Sequence, residues 1–591
     1  LIVNCKLIVV NSKKGFTLIE SLLAIGIFAV ISFGIYFSYS NLIDAIIASQ
    51  SRMAALAVID NEMEVIRNMA YWDVGTVGGS PAGILLPERN VKVGGGFYKL
   101  RTYVRNIDDP YDGTAPDDSS PADYKLVEMD LTCEGCLRLA DINATTIVAP
   151  VGLENQSDNG SLVIYSIDSS GAPLAGANIS ITNTHVIPAI NITDVTDSAG
   201  VYRLIDTATS SAGYEIRVTK AGYSSDRTYA PGEITNPHPT KPNATVASLQ
   251  TTEISFSIDR TSSLELRTSD KFCAPIGNVT YSITGSKIIG INPDIYKYST
   301  TSLTNSAGIK NISGLEWDAY SILNTDSRYH IAGSPVAPFI VDPAQNYSLR
   351  WILEPAAPNA VLVKVIDQNG NAINDANVAL TKTSYSETKI SGKRFFSETN
   401  WSGSNYSYKS DRIDVDSSAG DIIISQIDGK YATSSQELIS NTLDLGTSNT
   451  VFFEFNWNPS SQPPQTGEGS LVFQVATNND NSTWAFTGPD GTADSFYTVS
   501  GGQIHSINNG KRYLRYKVIM KTARDDFSPS VSDISIGFRS DCGVGGQAFF
   551  NGLATGTYEL TVSKTGYNTY VDDMVSVSDD WREYHVVLGS L

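Results

Sequence analysis

The sequence predicts a mainly β, multidomain chain carried on one long N-terminal helix, and three observations support that reading. An apolar run of about 22 residues, Phe16 to Phe37, is followed by further apolar residues at helical spacing. The 591 residues include 47 glycines, 24 prolines and 29 tyrosines among abundant Ser, Thr and Asn, which suits turn-dense β-structure. From Gly160 onward one strand-and-turn motif recurs three times, the mark of a tandem array.

The helix comes first in the chain. Residues 16–37 are long enough to cross a bilayer core of roughly 30 Å, so a single transmembrane segment is expected there. The basic pair Lys13 and Lys14 and then Gly15 precede the run, whereas a secretory signal would place its cleavage site after it. Leu56, Ile59, Met63, Ile66 and Ala70 then fall at spacings of three and four, which predicts one apolar face lying on a β-sheet. Helix from Phe16 to about Ala70 would be roughly 80 Å long. Glu20 is the oddity, because a carboxylate inside an apolar span costs about 2.5–3.5 kcal/mol unless a partner neutralises it.

KKG followed by FTLIES and a long apolar helix resembles the amino terminus of type IV pilins and pseudopilins. The resemblance implies that a prepilin peptidase cuts after Gly15 and methylates the new terminus at Phe16. It also implies that Glu20 meets the terminal amine of a neighbouring subunit during assembly. Residues 1–15 would be the leader and 16–72 the helix. Physics agrees with this pairing, since cleavage at Gly15 creates an ammonium at about the depth of the buried acid.

Residues 73–152 are expected to form a pilin-like α+β head. In FYKLRTYVRNI the alternation sets Tyr98, Leu100, Thr102 and Val104 on one face, and in YKLVEMDL it sets Val127, Met129 and Leu131 together. Between these strands the loop carries Asp108, Asp109, Asp112, Asp117, Asp118 and Asp123. It is either a solvated acidic hairpin or a set of hard oxygen ligands for calcium, as some pseudopilin heads resemble it in holding calcium in such a loop.

The repeated modules are assigned to 160–258, to 262–355, and to a discontinuous third made of 360–383 and 541–591. Turns of the form D-x-x-G at Asp168, Asp197 and Asp367 separate alternating strands, so each copy reads as a β-sandwich. The pattern resembles carboxypeptidase regulatory-like, transthyretin-type domains, which implies spacers and binding platforms without chemistry. In the second copy TSDKFCAPIG departs from the usual turn. Residues 384–540 read as a separate jelly-roll-like sandwich inserted at a surface loop. There Trp457, Trp484, Tyr513 and Tyr516 either fill the core or stack on sugar rings.

Composition excludes several functions. With 42 Lys plus Arg against 62 Asp plus Glu, the formal charge of -20 argues against nucleic acid as a partner. Five dispersed histidines without HExxH, and the lack of GxSxG, predict no enzyme. Once the leader is removed Cys133, Cys136, Cys273 and Cys542 remain, compatible with a local or inter-module disulfide, with free thiols, or with half a zinc site. No cofactor is expected beyond possible calcium in the acidic loop. The expectation is a minor pilin or pseudopilin-like subunit of a type IV filament or a related type II secretion system. It would be held single-pass in the inner membrane and then displayed at the cell surface for adhesion to a glycan or surface protein. A binding protein kept permanently in the membrane is the alternative.

Overall fold

The computed structural model describes residues 17–93, 96–111, 113, 118, 122–133, 141–151, 158–335, 338–417, 420–578 and 580–591. The chain divides into two compact units, one of Leu1–Asp259 with Ile289–Asp294, the other of Arg260–Ile288 with Ile295–Leu591.

In the first unit, α1 (Leu18–Arg67) is continuous over 50 residues, roughly 75 Å at the standard rise. It leans its last turns on an antiparallel sheet ordered β1 (Glu88–Val93), β2 (Gly96–Ile107), β3 (Tyr124–Cys133) and β4 (Ile142–Val148). The alternation expected of β2 and β3 is present: Tyr98, Leu100, Thr102 and Val104 are buried, as are Val127, Met129 and Leu131. The helix face differs from the expected stripe. Ala55, Ile59, Met63 and Ile66 enter the core, whereas Leu56 is turned about 100° away and stays 39% exposed. The small Ala55 lets the helix backbone approach the sheet closely. Helix also stops sooner than expected: Asn68 caps back onto the Glu64 carbonyl, and Ala70 is extended and exposed.

A sandwich follows in the same unit. Its first strand, Gly160–Ile167, pairs antiparallel with Val201–Thr207 and parallel with the last, Thr251–Ser257. The facing sheet is built on Asn178–Asn183, Ile190–Val195 and Ser210–Thr219, around a core that includes Leu162, Ile164, Ile181, Tyr214 and Phe256.

The second unit repeats this first-to-last parallel pairing twice, between Ser262–Ser269 and Asn346–Pro355 and between Ala360–Asp367 and Trp581–Leu588. In AVLVKVID both faces of the strand are buried. Val361, Val363 and Val365 point into the third sandwich, and Ala360 and Leu362 join the core of the second. The strand Tyr385–Ile390, expected to open the insert, instead pairs with Asn377–Lys382 in the third sandwich. The insert therefore starts a few residues later, and it leaves the third sandwich in the sheet-to-sheet link that Thr196–Gly200 forms in the first. Ser391 shows the equivalence. Its Oγ donates to Ile373 O at 2.7 Å and accepts from Ala376 N at 3.0 Å, while Thr196 Oγ1 does the same with Leu174 O at 2.7 Å and Ala177 N at 2.9 Å.

Two larger antiparallel sheets frame the insert, one centred on Thr450–Asn458 and Asp533–Ser540, the other on Leu471–Asn478 and Tyr513–Met520. Between them lies an aromatic core in which Phe455, Trp457, Phe473, Tyr497 and Tyr516 meet.

The irregular turn of the second sandwich has a physical reason. Asp270 closes it as Asp168 closes its counterpart, accepting from Phe272 N at 2.8 Å and Ala274 N at 2.9 Å. Phe272 stacks on Phe538 of the insert with ring centroids 5.8 Å apart, and Cys273 is disulfide-bonded to Cys542 across 269 residues. The residues that depart from the repeat are thus the ones that reach the insert, at Phe538, and the return segment of the third sandwich, at Cys542.

Candidate functional site

The helix that leads the chain is also its most unusual surface. From Leu18 to Ile47 its large apolar side chains are exposed, Leu18 at 81% and Phe28 at 72%, and nothing among the described residues covers them. Among the described residues one helix, over Ser21–Arg67, is long and apolar enough to cross a membrane. Glu20 lies one turn into α1, on backbone that is helical, but its side chain is outside the described residues. Gly15 and Phe16 are outside them too.

The head fixes the lower end of this helix. Arg67 Nε donates to Thr146 Oγ1 at 2.8 Å, and Arg89 pairs with Glu62. Lys125 is the residue that sequence reasoning missed here. It sits on the buried face of β3, only 4% exposed, with Nζ donating to Tyr71 O at 2.8 Å and Val74 O at 2.7 Å and lying 4.4 Å from the Tyr71 ring centroid. Burial pulls its pKa down to about 8, against the attraction of Asp206 and Asp73. Its place in the alternation with Val127 and Met129 was the available signal.

The head is joined to the first sandwich by polar contacts. Arg105, paired within the head with Glu128 at 2.5 Å, reaches Asp194 of the sandwich at 3.7 Å, Asn106 Nδ2 donates to Ile205 O at 3.1 Å, and Ser80 Oγ bonds Thr207 Oγ1 at 3.1 Å. Burial raises the pKa of Asp194, and Arg105 opposes that.

Of the calcium candidates, Asp112 and Asp117 lie outside the described residues. Asp109 accepts from Tyr111 N at 3.0 Å, and Asp123 accepts from Asp109 N. Among the described residues, Asp108, Asp109 and Asp118 do not bring their carboxylate oxygens to one point. The one cluster of metal-ligand type there is Cys273, Asp541 and Cys542, whose sulfurs are already joined to each other. Cys273 and Cys542 thus form the inter-module link. Cys136 and the side chain of Cys133 lie outside the described residues.

The four aromatic candidates of the insert separate into two pairs. Trp457 and Tyr516 are core, 2% and 1% exposed, and Trp401 Nε1 donates to Tyr516 Oη at 2.6 Å. Neither can stack on a ligand, because strand alternation turns both inward. Trp484 and Tyr513 remain half-buried on the outer side, under the guanidinium groups of Arg515 at 4.5 Å and Arg512 at 5.1 Å.

A family model described as "Prokaryotic N-terminal methylation motif" matches residues 10–36. The chain carries the type IV prepilin methylation motif. The match takes in Gly15, Phe16 and Glu20 together with the exposed first half of α1. No curated protein matches the chain. Among solved structures, the TIE protein of Bacillus anthracis is 12% identical over 52% of this chain and 55% of its own, with a TM-score of 0.15. The chain thus spans about half the length of that protein. The shaft pilin SpaA from Lactobacillus rhamnosus GG is 11% identical over 34% of this chain and 100% of its own, with a TM-score of 0.15. GBS52, the minor pilin of Streptococcus agalactiae, is 13% identical over 34% and 99%, with a TM-score of 0.16. Likeness at such scores says nothing about function.

Proposed function

We propose that the protein is a non-enzymatic minor pilin or pseudopilin-like subunit. Prepilin peptidase would cut it after Gly15 and methylate Phe16, and the bare half of α1 would then pack it among other pilin subunits. The observation that carries this reading is the conjunction of the methylation motif with a helix whose large apolar side chains from Leu18 to Ile47 are exposed. Such a surface needs lipid before assembly and neighbouring helices afterwards. Glu20 supplies specificity, since an acid inside that surface is tolerable once a neighbour's terminal ammonium reaches it.

Identical helices stacked with a constant offset build an open polymer. Three sandwiches and an insert follow this helix, a bulk that favours a sparse or terminal position over one at every step of a fibre. In that position the outer face around Trp484 and Tyr513 would be available to an adhesion partner.

The experiment is mass spectrometry of the mature N-terminus together with a Glu20→Gln variant. A methylated Phe16, and loss of the variant from sheared filaments while it persists in membranes, are expected. An intact leader and absence of the parent from sheared filaments would instead support a permanently membrane-held binding protein, whereas undiminished incorporation of the variant would remove Glu20 from the assembly contact.

A further inference from the structure

The protein is acidic overall, at -20, yet one crevice is basic. It lies within the second unit, where the second sandwich, the third sandwich and the insert meet, and has a volume of about 400 Å³. Lys271, Lys389, Lys393 and Arg394 line it, with Glu354 and Glu387 as the acids. Two of the cations are neutralised locally, Lys389 by Glu387 at 3.3 Å and Lys393 by Glu454 at 3.4 Å. Lys271 and Arg394 are not: neither has a carboxylate within 4.0 Å among the described residues.

Arg394 is seated rather than loose. Its Nη1 donates to Lys271 O at 3.2 Å, and Gly543 packs against the guanidinium, where an added Cβ would come within 2.6 Å of Nη2 and displace it. Removal from water pulls its pKa down to about 10, with Arg350 adding repulsion against the attraction of Glu354 and Asp270, and it remains a cation at neutral pH. A desolvated cation with donors facing a cavity and no ion-pair partner is a place for an anion.

The backbone around the crevice shows what kind of anion fits. Gln547–Phe550 is an edge strand, but its outward carbonyls are taken: Phe549 O accepts from Lys389 Nζ at 2.6 Å and Gln547 O from Gly392 N at 2.8 Å. An added peptide strand finds no acceptors there. The remaining wall offers the hydroxyls of Thr388, Ser397 and Ser535, partners suited to sugar hydroxyls. The volume suits a small ligand group.

We propose that this crevice binds one carboxylate or sulfate group carried on an acidic sugar, with Arg394 as its main ligand and Lys271 beside it. The inference stands whether or not the chain enters a filament.

The test is calorimetric titration of the full chain in detergent micelles with four probes: trigalacturonate, a sulfated galactose disaccharide, a neutral galactose oligomer and tetraglutamate. Binding of trigalacturonate, of the sulfated sugar or of both is expected, the two arms separating carboxylate from sulfate, with affinity falling as salt rises. Arg394→Gln should weaken binding by about tenfold or more, and Arg394→Lys by less, because the planar fork is lost while the charge stays. Lys271→Gln, which removes a half-buried ammonium 5.4 Å from the Phe272 ring centroid, should weaken it by about threefold and serves as the readout if the Arg394 variants fail to fold. Equal binding of the neutral sugar, binding of neither acidic sugar, tighter binding of tetraglutamate, or unchanged affinity in both Gln variants would overturn the proposal.

Discussion

The first and second sandwiches open with the same turn and differ at its tightest point. In the first, Asp168 Oδ1 accepts from Ser170 N and Ala172 N, and Gly171 takes the left-handed position at φ +85°. In the second, Asp270 accepts from the matching amides, but the left-handed residue is Cys273, at φ +66°. A side chain there costs roughly 1–2 kcal/mol that glycine avoids. The difference teaches why a repeat decays: the position that would favour glycine is the one facing Cys542, and Phe272 beside it is the residue that reaches the insert. The second turn is therefore an attachment point built on the frame of an ordinary one.

The largest expected effect tests that attachment. Cys542→Ser should lower the stability of the transition carrying the second and third sandwiches by about 2–5 kcal/mol in oxidising buffer, read by scanning calorimetry. In reducing buffer the variant and the parent should nearly coincide. A parent indifferent to reductant would break the comparison.

A smaller effect tests the equivalence of the links in the first and third sandwiches. Thr196→Val and Ser391→Ala each strip a buried amide and a buried carbonyl of one partner, so each should cost about 1–3 kcal/mol in urea unfolding. A near-zero cost for Ser391→Ala alone would mean that the insert has replaced the link rather than extended it.

Smaller again is the backbone term at the turn itself. Under reducing conditions Cys273→Gly should be more stable than Cys273→Ser by about 1 kcal/mol, because only the former removes a side chain from the left-handed position. Equal stabilities would show that the turn relaxes once the sulfur bond is gone.

The last test contrasts turns held by carboxylates with the one held by an amine. Lys125 grips the carbonyls of Tyr71 and Val74, and its folded pKa, about 8, lies below the ordinary 10.5. Between those values the unfolded chain binds more protons than the folded one, so stability of the head should rise as pH climbs from about 8 to about 10.5. In Lys125→Met this rise should vanish. The Asp168 turn behaves oppositely. Its carboxyl is held below the usual range by the Ser170 hydroxyl and the Ala172 amide, so its contribution is lost as pH falls through the lowered value. Following both by circular dichroism across pH separates the two devices.

Much of this architecture was legible because it is local. Alternation in FYKLRTYVRNI and YKLVEMDL marks the sheet of the head, the D-x-x-G turns mark tight links between strands of the modules, and KKGFTLIES marks the methylation motif. Each signal is a short-range geometric demand that the chain must satisfy residue by residue.

Tertiary structure alone decided the choices between equivalent local options. The spacing of Leu56, Ile59 and Met63 fits a helix as well as that of Ala55, Ile59 and Met63 does, and only the close approach of a sheet selects the smaller residue. CxxC spacing drew attention to Cys133 and Cys136, while the bond joins Cys273 to Cys542 because folding brings their Cα atoms to 5.4 Å. Trp457 and Trp484 are alike in sequence, and facing sheets bury one and leave the other half-exposed. The basic crevice around Arg394 had no sequence signature, since Lys271 lies far in the chain from Lys389, Lys393 and Arg394 and only folding brings it beside them. Local rules are written in neighbouring residues, whereas burial and charge pairing depend on which distant surfaces meet.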